Sequence, residues 1–292
     1  MSHDTLASAS ARLTSQYRAG TPPTSFTEIE AAAYATVRAP ATHAAASAVL
    51  GEVASRVVGF EPGSLVDLGA GTGATTEAAL GVWPSIGRLD LFERSETMIA
   101  ASQAKGTWHR GDITGASFEP ADVVCAAYSL GELSSADRDA VLRRAWEATT
   151  GVLIVIEPGT RSGFATILGV RDALIEVGAE LLAPCPHMDA CPMPEGKWCH
   201  FPVRLERSES HRRVKDVDLP YEDERFSYVA FSRIGGSRAE GRVVGHPRYP
   251  RRRVALEVCA SDGLRAVTVP KSSDRYREAK MWRWGSAVPR RP

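Results

Sequence analysis

The stretch LVDLGAGTGATTEAAL, from Leu65 to Leu80, decides how the rest of the chain is read. A short apolar strand carries Asp67 near its end, turns through Gly69, Gly71 and Gly73, and enters an alanine-rich helical pattern. Glycines at such a turn let the backbone approach a ligand where side chains would block it. The unit therefore predicts a nucleotide-like ligand at the switch point of a sheet. Downstream, RLDLFE (88–93), TWHRGD (107–112), DVVCAAY (122–128) and VLIVIE (152–157) read as further strands. Helical segments separate them, except after TWHRGD, where the pattern leaves the form of the link open. One helix start is marked: Ser134, with Asp137 three residues on, resembles a capping box ahead of Val141, Leu142, Ala145 and Trp146. This alternation predicts a mostly parallel, Rossmann-like sheet with right-handed crossovers and both faces covered. Upstream, the polar first 26 residues predict a flexible N-terminus, and 27–60 a helical segment that includes HAAASAVLGEVASRVVGF (43–60).

Size and composition limit what else is expected. A chain of 292 residues, 43% of them hydrophobic, can bury a core without covalent staples, and five cysteines are too few for a disulfide framework. The N-terminal stretch has no apolar core flanked by basic residues, so the expectation is a reducing, cytoplasmic setting. The longest apolar run, GVLIVIEPG (151–159), is strand-sized and far short of the roughly 20 residues that span a bilayer. A soluble protein with no membrane partner is expected. Charge is uneven: from Gly241 onward thirteen basic residues face four acidic ones, a net +9 that the preceding 240 residues balance with −9. Interleaved with Tyr249, Tyr276, Trp282 and Trp284, this basic segment has the composition of a surface that meets phosphates and stacks on bases.

The glycine spacing G-x-G-x-G differs from the dinucleotide fingerprint and resembles the first motif of class I S-adenosylmethionine-dependent methyltransferases. That resemblance implies a cofactor site on Asp67, Gly69, Gly71 and Gly73. It also implies that Glu93 accepts hydrogen bonds from the ribose hydroxyls and that Asp112 contacts the adenine amino group. The chemical step is not marked. The D/N-P-P-aromatic motif of amine methylation is absent from DVVCAAYSLGEL (122–133), and Cys125 reads as a buried structural cysteine. Tyr128, Glu132 and Glu157 fall at the expected cleft edge without forming a base and nucleophile pair, so no catalytic residue is named.

CPHMDACPMPEGKWCHF (185–201) places Cys185, Cys191 and Cys199 at C-x5-C-x7-C spacing, and Cys259 lies far downstream. Four converging thiolates make a complete metal site. Their chemistry suits zinc or an iron–sulfur cluster about equally, and the prolines keep the loop extended.

APCPHMDACPMPEGKWCHFPVRLERSESHRRVKD (183–216) and YEDERFSYVAFSR (221–233) resemble the methyltransferase-like small-ribosomal-subunit family of mitochondrial ribosome assembly factors and bacterial relatives. So do IEPGTRSGF (156–164), YATVRAPATHAA (34–45) and MWRWG (281–285). The resemblance implies an S-adenosylmethionine-binding domain, a [4Fe-4S] site on Cys185, Cys191, Cys199 and Cys259, and binding to the small ribosomal subunit and its rRNA. It implies assembly work, with rRNA methylation and a non-catalytic role both open, and a small-molecule or other RNA methyltransferase with a structural zinc site as the alternative. The expected organisation is a methyltransferase-like core over 61–183, a cysteine-rich metal-binding insertion over 184–220, a late core strand over 221–240, and a basic, β-containing segment over 241–292 closing the metal site. Arg204, Arg207, His211, Arg212, Arg213 and Lys215 are expected to reach phosphates from beside that site. The sequence carries no signal for oligomeric state.

Overall fold

The structure, a computed structural model, describes residues 3–289. Arg290 and Arg291 of the basic segment lie outside the described residues. Three helices open the chain, α1 (His3–Arg18), α2 (Glu28–Val37) and α3 (Ala39–Arg56). The flexible N-terminus expected over 1–26 is thus corrected: most of it is helix α1. Leu6, Ala9 and Leu13 recur at helical spacing along it, and Ala9 and Leu13 are buried where α1 packs on α2. The start of α2 is fixed by a capping box in which Thr27 Oγ1 accepts the Glu30 N–H at 3.2 Å and Glu30 Oε2 accepts the Thr27 N–H at 3.0 Å.

The central domain follows as β1 (Ser64–Leu68), α4 (Ala74–Val82), β2 (Arg88–Glu93), α5 (Glu96–Ala100), β3 (Thr107–Arg110), β4 (Ala121–Ala127), α6 (Ser135–Ala148) and β5 (Thr149–Pro158). It continues with α7 (Arg161–Glu176), β6 (Glu180–Ala183), β7 (Phe201–Glu206), α8 (Glu209–Lys215) and β8 (Tyr221–Ser232). The strand order is β3-β2-β1-β4-β5-β8-β6, with β7 paired to the first half of β8. β3 to β5 run parallel, and β8 is antiparallel to both β5 and β6. This is a Rossmann-like, mostly parallel sheet with an antiparallel late strand. Val152 to Ile156 of β5 are at most 1% exposed because both sheet faces are covered. One face packs on α3 and α4 through Val49, Leu50 and Trp83, and the other on α6 and α7 through Leu142, Val170 and Leu174. The link after β3 is an irregular loop, and Ser134 caps α6 by accepting the Asp137 N–H at 3.2 Å.

The insertion is shorter than expected. Residues 184–200 form the irregular cysteine loop, and from Phe201 the chain rejoins the sheet as β7 because its Phe, Val and Leu pair with β8. After β8 a second sheet forms from β9 (Gly241–Val243), β10 (Arg253–Ala260), β11 (Gly263–Pro270) and β12 (Ala287–Val288), in the order β11-β10-β9-β12, with α9 (Tyr276–Ala279) against it. β10 alternates with period two. Val254, Leu256 and Val258 enter the module's own core with Val243, Val269 and Trp282, while Cys259 falls on the other side. That alternation makes the basic segment a separate β module.

Candidate functional site

At the carboxyl end of β1 the structure brings the glycine turn against the strand ends of its neighbours. Gly69 and Gly73 adopt φ of +77° and +85°, and a Cβ at either would stand 2.5 Å from Ser129 Cβ or 2.3 Å from Ala104 Cβ. Gly71 has the more open position, its nearest neighbours being Met98 and, at 3.9 Å from an added Cβ, the ring of Tyr34. Glu93 Oε2 accepts the Gly71 N–H at 2.9 Å and its Oε1 accepts the Ser95 N–H at 2.8 Å. The carboxylate therefore ties the turn to the start of α5 and keeps lone pairs for a ligand. Asp67 is buried, with Oδ2 accepting from Thr76 Oγ1 at 2.7 Å and Oδ1 left without a partner. Burial pushes its pKa up to about 6 against that hydrogen bond. Asp112 is exposed just past β3 and accepts the Thr114 N–H at 2.9 Å, which holds its carboxyl below the usual range. The chemistry of the residues present fits an adenosyl cofactor: an open glycine at 71, a buried Asp67 oxygen without a partner, and acids at the ends of β2 and β3.

The N-terminal helices also reach the glycine turn, which the glycine motif itself does not mark. Tyr34 lies beside Gly71, Arg38 Nη1 stands 3.7 Å from Glu224 Oε2, and Thr97 Oγ1 donates to the Phe26 carbonyl at 2.7 Å, holding the entry to α2 against α5. The YATVR word at 34–38 was the available signal. At the cleft edge Tyr128 has φ +58° and donates its hydroxyl to Glu224 Oε1 at 3.2 Å. Burial drives that phenol's pKa well above its usual value. Glu157 is 2% exposed and accepts the Gly131 N–H at 2.9 Å; burial raises its pKa to about 8. Glu132 pairs with Arg94 at 3.4 Å, and burial still lifts its pKa to about 7. Cys125 is fully buried in β4.

Past the carboxyl end of β6, Cys185, Cys191, Cys199 and Cys259 line a single cavity together with Arg171 and Arg242. Cys185 follows β6, Cys199 precedes β7 with its carbonyl accepting from Ser227 Oγ at 2.7 Å, and Cys259 comes from β10. Burial raises the thiols of Cys185, Cys199 and Cys259, the last to about 12, and the neighbouring cysteines raise them further. That mutual effect reflects their proximity. Among the described residues, no group of three or more His, Cys, Asp or Glu stands close enough together to hold a metal ion. The donor chemistry and the shared cavity fit a four-thiolate centre; the side-chain positions are not a closed ligand set.

The basic residues separate into two groups. Arg204 pairs with Asp223 at 2.7 Å, Arg207 and Lys215 with Glu222 at 2.8 Å, and Arg213 with Glu209, while His211 is buried. Those side chains are used within β7, α8 and β8, and α8 packs on α1 and α2. Trp282 is in the core of the β module and Tyr276 packs against it, so of the tail's aromatics Tyr249 is the exposed one. Arg251, Arg252, Arg253 and Lys271 are exposed at the open end of the β10–β11 hairpin, and none forms an ion pair among the described residues.

The chain matches the family described as mitochondrial small ribosomal subunit Rsm22 over residues 28–289. It is 30% identical over 304 aligned residues to the mitochondrial ribosome assembly protein METTL17 of Homo sapiens, covering 91% of this chain and 64% of that protein. It is 27% identical to Rsm22-cox11 tandem protein 2, mitochondrial, of Schizosaccharomyces pombe, over 51% of this chain and 26% of that protein. The chain thus spans less than two thirds of the curated relatives it matches. Among solved structures, magnesium protoporphyrin IX methyltransferase from Synechocystis with bound S-adenosylmethionine aligns at TM-score 0.42 and 13% identity, over 75% of this chain and 90% of that one. The plantazolicin methyltransferase BamL aligns at 0.46 and 10%, over 78% and 97%. The relatives are mitochondrial by name, which overturns the expected cytoplasmic location. That expectation rested on the missing secretion signal, a feature that does not separate cytoplasm from mitochondria. With the match extending from α2 through β12, the chain belongs to the mitochondrial small ribosomal subunit Rsm22 family.

Proposed function

We propose that this chain is an S-adenosylmethionine-binding, methyltransferase-like factor that binds the small ribosomal subunit through its rRNA and assists its assembly, with a [4Fe-4S] cluster on Cys185, Cys191, Cys199 and Cys259. The observation that carries this reading is the meeting of three cysteines from the loop and one from β10 around one cavity, at the junction of sheet and β module. Such a centre pins the module, with its exposed Arg251, Arg252 and Arg253, to the methyltransferase-like domain. Those cations meet phosphates and make RNA binding salt-dependent.

In the cleft, Asp67, Glu93 and Asp112 would hold the cofactor, and Gly71 gives it room against the backbone. S-adenosylmethionine, when bound, supplies an electrophilic methyl group. Tyr128 and Glu157 are already engaged by Glu224 and Gly131, so the cleft edge offers shape and polarity rather than a free base. rRNA methylation is the finer part of the reading, and loss of a methyl mark on substituting Glu93 would establish it.

The test is anaerobic purification with iron, sulfide and zinc analysis of the wild type and Cys185→Ser, followed by binding to small-subunit rRNA across a salt series. Roughly four irons and four sulfides lost in the variant, and a salt slope that drops by about 2 to 3 when Arg251, Arg252 and Arg253 become alanine, are expected. One zinc per chain would replace the cluster with a structural metal. An unchanged slope would remove the RNA role of the module.

A further inference from the structure

Two guanidinium groups are buried in the wall of the cysteine cavity, and they are held differently. Arg242 is 3% exposed and fully engaged: it donates to the Pro184 carbonyl at 3.1 Å, the Gly285 carbonyl at 2.8 Å and Glu52 Oε1 at 2.6 Å. Arg171, on α7, is also 3% exposed, but its Nε is buried without a partner. Its carboxylate partner, Asp172, has a side chain 59% exposed, so water screens that pair. The remaining donors point into the loop between the first two cysteines, to the His187 carbonyl at 3.3 Å and to the Asp189 carbonyl. Cys185 lines the same cavity. From the same loop His187 brings Nε2 to 3.7 Å from Cys259 Sγ, and its buried Nδ1 has no partner.

A buried cation with an incomplete set of acceptors is costly unless an opposite charge shares its cavity. Four thiolates around a zinc ion or an oxidised [4Fe-4S] core carry a net charge of about −2, a counter-charge inside the cavity that the solvent-screened Asp172 does not supply. We propose that Arg171 is the positioning and charge-balancing residue of the four-cysteine centre: it closes the Cys185–Cys191 loop through two carbonyls and raises the reduction potential of the bound cluster. This rests on the cluster reading given above. Reduction adds one electron from an external low-potential donor and takes the thiolate-ligated centre from −2 to −3 with no proton gained. A nearby guanidinium and N–H···S contacts favour the more negative state.

The experiment compares anaerobically reconstituted wild type with Arg171→Met, Arg171→Lys and His187→Leu by dye-mediated redox titration and by the rate of bleaching with an iron chelator. Arg171→Met is expected to shift the one-electron equilibrium at least tenfold towards the oxidised form, about 59 mV, and to bleach several-fold faster. Arg171→Lys, which keeps the charge but loses the fork, recovers most of the potential and still bleaches fast. His187→Leu, which spares the Arg171 contacts, gives a smaller shift of the same sign, and Arg171→Lys decides the matter by its faster bleaching if Arg171→Met does not load. A loaded wild type whose potential and bleaching are unmoved in these variants overturns the inference alone. A wild type without iron and sulfide overturns the cluster reading and this inference with it.

Discussion

The main sheet buries apolar side chains on both faces and is covered by helices from two directions, whereas the β module has four strands and one small core around Val254, Val258 and Trp282. Both follow the same burial rule, at about 1.5–3 kcal/mol for each fully buried large side chain. Only the sheet has enough such side chains to offset the entropy of ordering its chain. The module is instead attached by specific polar links: Arg242 to Glu52 and Pro184, Lys197 Nζ to Glu257 Oε1 at 3.0 Å, and Cys259 facing the cysteine loop. With the four-cysteine centre proposed above, such a fold has one part whose order is intrinsic and another whose order depends on that centre.

The sharpest test of that contrast is metal loss. Cys259→Ser, or chelation, is expected to increase tryptic cleavage at Arg251, Arg252 and Arg253 by about 100-fold or more, since a structural metal of this kind contributes on the order of 10 kcal/mol. The circular dichroism melt of the sheet should move by only a few degrees. A single cooperative loss of both would merge the two regions. The converse substitution is Leu153→Ala in β5, fully buried in the wild type. It should cost about 2–5 kcal/mol of global stability in denaturant, while the loaded module keeps its wild-type protease resistance below the melting transition.

The smallest expected effect is a slope. Burial holds Glu157 protonated to about pH 8 in the folded chain, so below the ordinary carboxylate range the group contributes nothing against folding. As pH rises from there through about 8, the unfolded chain releases this proton first and stability declines. Glu157→Gln, which keeps an oxygen for the Gly131 N–H, is expected to flatten that decline in denaturant melts taken between pH 5 and 9. An unchanged slope would place the pH dependence elsewhere.

The sheet was legible because its strands are apolar runs bounded by glycine and charge, and because Gly69 and Gly73 stand where no Cβ fits. Helix α1 was not, since its buried stripe of Ala9 and Leu13 is diluted by serine, threonine and charge, and its partners α2 and α8 are far along the chain or unmarked. Glu93 and Asp112 lie at the ends of β2 and β3, as their apolar strand words predict, but Tyr34 and Arg38 come from another part of the chain, and a motif read strand by strand does not reach them. Charge was the weaker guide. Arg207, Arg213 and Lys215 look in sequence like a phosphate-binding run, and each is answered by a nearby carboxylate once α8 folds. Trp282 looks like a stacking surface and is a core residue, because hydrophobic burial of an indole outweighs what the sequence context of arginines suggests.

The position of β8 between β5 and β6 also governs how the chain reaches its fold. β5 and β6 are synthesised first, and each leaves an apolar, hydrogen-bond-hungry edge uncovered until residues 226–232 arrive and insert between them. Such late, long-range closure slows folding and exposes sticky edges to other chains. During its own translation the chain therefore keeps those two edges open until residues 226–232 have left the ribosome.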